Sequence, residues 1–227
     1  KSGNFISSTY YGKSLPKWVS EYNSLHRVDS FYTKGWNLSL AKSVYEANCD
    51  GDVNAYESTP LGAEQKGFPY TLNQFIGKDY GKISSTPYGN SIVAEMAVKA
   101  LVSEQLGKDD ITDLLAISFS SPDYIGHSFG PNSWETLDGY IKLDAVIAQL
   151  FASLDQQVGK NNYTVFLTAD HAVANIPDFS KKHKIPGGLI SESGIKKELG
   201  QLLLKQGLSD RLISAINEYN LKTLQFT

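Results

Sequence analysis

Apolar positions recur at helical spacing in two long stretches of the chain, residues 90–107 and 133–159. In each stretch they repeat every three or four residues, which is the period of an amphipathic helix, and a glycine closes each pattern. The sequence therefore predicts an amphipathic helix in each stretch. Two further helices are predicted at residues 194–207 and 208–220.

Two short apolar runs lie on either side of the predicted helix 133–159. "DLLAISFS" occupies residues 113–120, and "YTVFLTA" occupies residues 163–169. Short continuous apolar runs are typical of strands that are buried on both faces of a parallel sheet. A strand, a helix and a second strand in this order predict a βαβ unit, so we expect an α/β fold built on a mostly parallel sheet.

The first ninety residues are rich in Tyr, Gly, Ser and Asn and poor in apolar periodicity. One short helix is predicted at residues 15–25, with Pro16 in its first turn, and the rest is predicted as turns and irregular loop. A long irregular stretch of this kind is usually functional or belongs to an insertion. We therefore predict a cap-like or insertion-like region at 1–90 and part of the α/β core at 91–227.

Composition and charge exclude several classes of function. The 227 residues are 41% hydrophobic and 20% charged, as in ordinary globular proteins. The formal net charge is −3 and the basic cluster at 181–184 is short, so a nucleic-acid partner is not expected. No apolar stretch approaches the ~20 residues that span a bilayer. The single cysteine, Cys49, can form neither an internal disulfide nor a Cys-based zinc site.

The candidate chemistry lies where the two predicted strands end. Asp123 and His127 follow the first strand at a spacing of four residues, and Asp170 and His171 follow the second. The carboxyl ends of neighbouring parallel strands meet at one edge of a sheet, so we expect these four side chains within reach of each other. Carboxylate oxygens and imidazole nitrogens suit Zn²⁺. Two metals roughly 3.5–4 Å apart form the arrangement that serves phosphoryl transfer.

Each of these motifs also has a structural interpretation when it is taken alone. Asp123 follows Pro122 and can form a turn or a cap, and His171 can be a buried, hydrogen-bonded imidazole. Their joint placement at two strand ends favours metal binding. His26 is expected at the surface, and His183 is expected in a loop that could line a site.

No side chain stands out as a nucleophile. Ser84, Ser85 and Thr86 precede the helix that is predicted from residue 90, and a helix N-terminus favours anions. Asn90 is predicted as the N-cap of that helix. Pro87 forces Thr86 into an extended conformation, which disfavours the sharp turn of a nucleophile elbow.

Three segments carry a family resemblance: "SSPDYIGHSFGPNS", "YIKLDAVIAQLFASLDQQVG" and "YTVFLTADHAVA". They resemble the alkaline phosphatase superfamily, in its type I phosphodiesterase/nucleotide pyrophosphatase branch, and most closely the periplasmic alkaline phosphatases with a Thr nucleophile. The resemblance implies a three-layer α/β/α fold and two zinc ions in the intact site. Asp123 and His127 would bind one zinc, and Asp170 and His171 the other. Ala172 stands where the family motif has Gly, which affects the expected geometry of the local turn.

The family also has parts for which this chain has no matching position. These are the nucleophile, a further metal-binding Asp, a phosphate-binding Lys and Arg, and a third His. We therefore expect an internal fragment with an incomplete sheet and no activity of its own. The resemblance implies that the intact enzyme hydrolyses small phosphate monoesters through a phospho-enzyme intermediate, in the periplasm or outside the cell.

Two other functions stay open on the sequence. A phosphodiesterase or nucleotide pyrophosphatase of the same superfamily needs a pocket for a second ester group, which Tyr10, Tyr11 and Trp36 could furnish, although packing is expected for most of them. A non-catalytic α/β module that binds one metal or none also fits a chain without a nucleophile. The sequence does not indicate an oligomeric state.

Overall fold

The structure is a computed structural model, and its described residues fall into two compact units, one within 1–176 and the other within 177–227. These units do not follow the predicted boundary at residue 90, which stays a prediction about the intact fold. Within the described ranges no helix is long and apolar enough to cross a membrane. The described residues are 2–188, 191–210, 213–215 and 225–226.

The first unit is built mainly of helices. Two of them, α4 and α6, confirm the two longest apolar patterns of the sequence to within a few residues at each end. Helix α6 begins at a cap in which the Ser133 hydroxyl oxygen accepts a hydrogen bond from the Thr136 N–H at 3.1 Å. The helices are α1 (Lys17–Asn23), α2 (Arg27–Lys34), α3 (Lys42–Asn48), α4 (Tyr88–Ser103), α5 (Ser121–Phe129) and α6 (Trp134–Gln157).

The prediction that residues 26–90 are turns and loop is wrong in part, because α2, α3 and two short 3-10 turns lie there. This stretch also supplies much of the hydrophobic core. Tyr32 and Trp36 are fully buried, Tyr70 is 1% exposed, and Trp36 and Tyr70 exchange two backbone hydrogen bonds of 2.8 and 2.9 Å. Aromatic side chains bury a large area per residue, so a core can form without long helices.

A buried carboxylate ties α6 to this aromatic core. Asp138 is fully buried and accepts hydrogen bonds from the Trp36 indole N–H and the Tyr45 hydroxyl, both at 2.6 Å. It also accepts from the Ser39 N–H at 2.7 Å, and the Lys142 ammonium lies 3.4 Å away. Because every oxygen has a donor, the buried charge is compensated and the two parts of the unit are locked together.

Residues 112–120 and 163–169 include the two predicted strands, 113–120 and 163–169, and neither stretch is assigned as a strand in the structure. Neither stretch pairs with a strand among the described residues, and we call them the unpaired segments. Their apolar side chains reach solvent: Leu114 is 92% exposed and Phe166 is 91% exposed. The predicted sheet is therefore not confirmed by the strand pairing that the structure describes.

The second unit contains α7 (Pro177–Lys182) and α8 (Glu192–Lys205). Helix α8 confirms the pattern predicted at 194–207. The helix predicted at 208–220 is wrong where the structure describes it, because Ile213–Ala215 form strand β1, which pairs antiparallel with β2 at Gln225–Phe226. The rest of that predicted helix lies largely outside the described residues.

Candidate functional site

Helix α5 carries the first candidate pair. Pro122 lies at its start, where a missing N–H costs nothing, and Asp123 lies in the first turn, where a negative charge is favoured by the helix dipole. His127 lies one turn later on the same face. As a result the His127 Nε2 atom lies 3.4 Å from the Asp123 Oδ1 atom. Both side chains are accessible, with 78% and 44% of their surface exposed.

His171 reaches the same carboxylate from a distant part of the sequence. Its Nε2 atom lies 3.5 Å from Asp123 Oδ1, while its Nδ1 atom lies 3.0 Å from the Ala172 carbonyl oxygen. A carbonyl oxygen only accepts, so Nδ1 carries a proton, and Nε2 is the imidazole nitrogen that faces Asp123. The same carbonyl raises the pKa of His171, with Asp170 and Asp123 adding to the rise.

Asp170 lies at the edge of this group. Its Oδ2 atom is 3.8 Å from His171 Nε2, and its side chain is 92% exposed. The structure thus brings together three of the predicted residues, Asp123, His127 and His171, with Asp170 beside them. The assignment of the four residues to two separate zinc ions stays a prediction.

The donor set can be compared with the geometry of a zinc site. Two donors that bind one tetrahedral Zn²⁺ at about 2.0–2.1 Å lie roughly 3.3–3.4 Å apart. The separation of 3.4 Å within the predicted pair Asp123–His127 is close to this value, and the 3.8 Å within the predicted pair Asp170–His171 is wider. However, the described part of the chain brings no three His, Cys, Asp or Glu side chains together as a complete metal-binding group. The residues present therefore fit part of a metal site, and further donors would complete it.

The surroundings of α5 hold it firmly in place. Ile125 and Phe129 are each 1% exposed and face the core. The carbonyl oxygen of Gly130, which ends the helix, accepts hydrogen bonds from the hydroxyls of Ser133 and Thr136 at 3.0 and 2.7 Å. The two metal-ligand candidates on α5 thus stand on a rigid element, which favours a precise site.

The other residues singled out by the sequence do not join this group by any contact that the structure describes. The Thr86 hydroxyl is buried and donates to the Ile83 carbonyl at 2.8 Å, so it is not placed as a nucleophile. The prediction of Asn90 as an N-cap is wrong: it lies inside the first turn of α4, and Pro87 takes the cap position. Trp36 is buried in the core, whereas Tyr10 and Tyr11 are 87% and 82% exposed.

Sequence reasoning did not identify the backbone groups that orient the site. The Ala172 carbonyl beside His171 and the Gly130 carbonyl at the end of α5 are main-chain atoms, and any residue type can supply them. No residue-type pattern signals such groups. The sequence does contain Gly130 at this point, and glycine is common just after the end of a helix. In the structure the φ of Gly130 is 89°.

Known proteins resemble this chain over nearly its full length. The family model for type I phosphodiesterase/nucleotide pyrophosphatase matches residues 6–211. The alkaline phosphatase PafA of Elizabethkingia meningoseptica is 40% identical over 222 residues, which are 96% of this chain and 40% of that protein. The alkaline phosphatase PhoV of Synechococcus elongatus is 41% identical over 187 residues, 82% of this chain and 34% of that protein.

A solved structure agrees with these sequence matches. The crystal structure of wild-type alkaline phosphatase PafA superposes with a TM-score of 0.88 at 41% identity, covering 96% of this chain and 41% of that chain. The chain thus spans about two fifths of the length of these relatives. The likeness places it on the α/β fold of the alkaline phosphatase superfamily. The chain belongs to the type I phosphodiesterase/nucleotide pyrophosphatase family.

Proposed function

We propose that this chain is part of a zinc-dependent phosphatase that hydrolyses small phosphate monoesters and that acts in the periplasm or outside the cell. The observation that carries the proposal is the approach of His127 and His171 to one carboxylate, Asp123, at 3.4 and 3.5 Å. It is supported by relatives at 40% and 41% identity that are alkaline phosphatases. The parts that the relatives have beyond this match would supply the nucleophile and the missing metal donors.

The described residues would hold and orient the metals. Asp123 and His127 would bind one zinc from consecutive turns of α5, and Asp170 and His171 would bind the other. The Ala172 carbonyl would keep the His171 imidazole in the tautomer that offers Nε2. Zinc bound there would supply a Lewis acid that stabilises negative charge on phosphate oxygens and lowers the pKa of a bound water.

The proposal includes a prediction that the 227-residue chain is inactive alone. Hydrolysis of p-nitrophenyl phosphate and of bis(p-nitrophenyl) phosphate should be measured with excess zinc, for this chain and for the same chain extended at both ends. We expect no turnover by the short chain and monoester turnover by the extended one. Robust turnover by the short chain would contradict the fragment proposal, and Ser84 and Ser85 would then be the first residues to replace.

A phosphodiesterase is the second candidate, because the matching family model carries that activity in its description. The same assay distinguishes the two. Faster hydrolysis of the diester than of the monoester by the extended chain would favour the second candidate. An extended chain that binds no zinc and hydrolyses neither ester would contradict both and leave the non-catalytic module.

A further inference from the structure

Glu135 is a buried carboxylate that is not part of the proposed zinc site. It lies in the first turn of α6 and is fully buried. Its Oε1 atom accepts a hydrogen bond from the Tyr70 hydroxyl at 2.6 Å, while its Oε2 atom has no hydrogen-bond partner. A charged carboxylate that is buried with one oxygen unsatisfied is strongly disfavoured, so this position favours the neutral acid.

The groups around Glu135 are mostly acidic. Glu57 and Asp52 face it from the loop that follows α3, and the Cys49 thiol lies at the end of that helix within its electrostatic reach. The cation Lys42 lowers the pKa of Asp52, and its ammonium lies 5.5 Å from the centroid of the Trp134 ring. No ion pair to Glu135 forms among the described residues.

Glu57 and Asp52 are already engaged with other donors. Both Glu57 oxygens accept from Asn54, at 3.0 Å from its N–H and 2.8 Å from its side-chain amide. Asp52 accepts from the Phe68 N–H at 3.2 Å. Burial raises the pKa of both Asp52 and Glu57, and these hydrogen bonds act against the rise. Glu135 is the most buried of these three carboxylates, so it favours the protonated form most strongly.

The electrostatics agree with this geometry. Burial raises the pKa of Glu135 to about 8, and the nearby Glu57 and Asp52 add to the rise. The hydrogen bond from Tyr70 acts in the opposite direction and does not overcome burial.

The partners that surround Glu135 also hold the end of α5. The Tyr70 ring packs against the ring of Phe129, the last residue of α5, with centroids 6.0 Å apart. Ser133 and Thr136, on either side of Glu135 in the sequence, donate to the carbonyl that ends α5. A charge at Glu135 would therefore disturb the two supports of that helix.

We propose that the neutral form of Glu135 acts as a positioning residue for α5, so that its ionisation loosens the helix that carries Asp123 and His127. The consequence for activity rests on the proposed function. The consequence for stability does not, because it needs only the buried acid and its neighbours.

The sign of the stability effect follows from proton linkage. The pKa of Glu135 in the folded chain lies above the value near 4.3 of an unfolded glutamate. The stability contributed by the neutral acid is therefore fully present below the unfolded pKa and is lost as pH rises to about 8. Across that window the ratio of folded to unfolded chain should fall about tenfold per pH unit from this group alone.

Urea unfolding between pH 5 and 9 tests the proposal on the wild type, Glu135→Gln and Asp144→Asn. Gln keeps an acceptor for Tyr70 and cannot ionise, so it should remove most of the stability loss over this range. Asp144 is an exposed residue on the same helix, and its replacement should leave the wild-type slope. A Glu135→Gln slope that parallels the wild type would overturn the proposal.

A second variant keeps the test decisive if Glu135→Gln does not fold. Tyr70→Phe removes the hydrogen bond that lowers the pKa of Glu135, so the stability loss should move to higher pH. An unmoved loss would count against the proposal. A rise in melting temperature on adding CaCl₂ that Glu135→Gln abolishes would also overturn it, because a cation rather than a proton would then occupy the group.

The link to activity is read in the chain extended at both ends. There Glu135→Gln should extend the alkaline limb of the kcat profile to higher pH and leave KM near neutral pH unchanged. An extended chain without phosphatase activity would contradict the proposed function and leave the stability result standing. An active enzyme with an unchanged alkaline limb would contradict the positioning role.

Discussion

The aromatic core and the unpaired segments lie in the same compact unit and have opposite surroundings. The core completes its contacts within the chain, because Trp36 is fully buried and even its indole N–H has an acceptor in Asp138. The unpaired segments, 112–120 and 163–169, expose large apolar side chains and pair with no strand that the structure describes. In the sequence, the candidate metal ligands follow shortly after the unpaired segments. The difference indicates that the aromatic core around α5 is completed by contacts within the chain. The unpaired segments that precede the candidate metal ligands are not completed in this way.

The sharpest test of this comparison replaces two phenylalanines by alanine. Phe129 is 1% exposed in the core, and Phe166 is 91% exposed in an unpaired segment. Phe129→Ala should lower the free energy of unfolding by about 3–5 kcal/mol, as for other buried aromatic residues. Phe166→Ala should change it by less than ~0.5 kcal/mol. Urea denaturation measures both, and equal losses would contradict the comparison.

The buried carboxylate of the core gives the next largest effect. Asp138→Ala leaves the Trp36 indole and the Tyr45 hydroxyl without their shared acceptor and should cost about 3 kcal/mol. Asp138→Asn keeps one acceptor oxygen and should cost less. The exposed Asp144→Asn on the same helix serves as the matched control, with a change within ~0.5 kcal/mol. Similar losses for Asp138→Ala and Asp144→Asn would show that the contacts of Asp138 contribute little.

A tight contact between α4 and α5 gives a smaller effect. A Cβ atom at Gly89 would lie 2.2 Å from the Ser121 hydroxyl oxygen and 3.0 Å from the Ile83 carbonyl oxygen. Gly89→Ala should therefore destabilise the chain by about 1–2 kcal/mol. Ser121→Ala removes the closer of the two atoms and should restore part of the loss in the double variant. Additive effects in the double-mutant cycle would contradict the contact.

The sequence predicts the long helices and the short helix α1 within 15–25, but it does not predict α2 and α3. Helices α4, α6 and α8 each repeat an apolar stripe over several turns, so the period alone identifies them. Helices α2 and α3 have eight and seven residues, about two turns, and their burial depends on aromatic contacts with distant residues. Such contacts leave no local period. The predicted strands depend on partners that a single chain segment does not specify, so their pairing stays a prediction.

The sequence predicts which residues approach one another, and their role as metal ligands stays a prediction. The spacing of Asp123 and His127 suits a helix, and the structure places both on α5. The approach of His171 to Asp123 agrees with the expectation that the two motifs meet. The sequence does not predict that His171 Nε2 lies 3.5 Å from Asp123 and 3.8 Å from Asp170, because these distances depend on the local backbone after residue 169.

The central claim is that Asp123 is a zinc ligand of this site, and zinc titration by calorimetry of the chain extended at both ends tests it most directly. The wild type, Asp123→Asn and the exposed control Asp144→Asn should be compared at one pH near neutrality. We predict that Asp123→Asn weakens zinc binding at least ~10-fold while Asp144→Asn does not change it. The free energy of unfolding without zinc should stay similar in all three, because Asp123 is 44% exposed and contributes little to the core. Equal zinc affinity in the wild type and Asp123→Asn, or no zinc binding by the wild type, would contradict the claim.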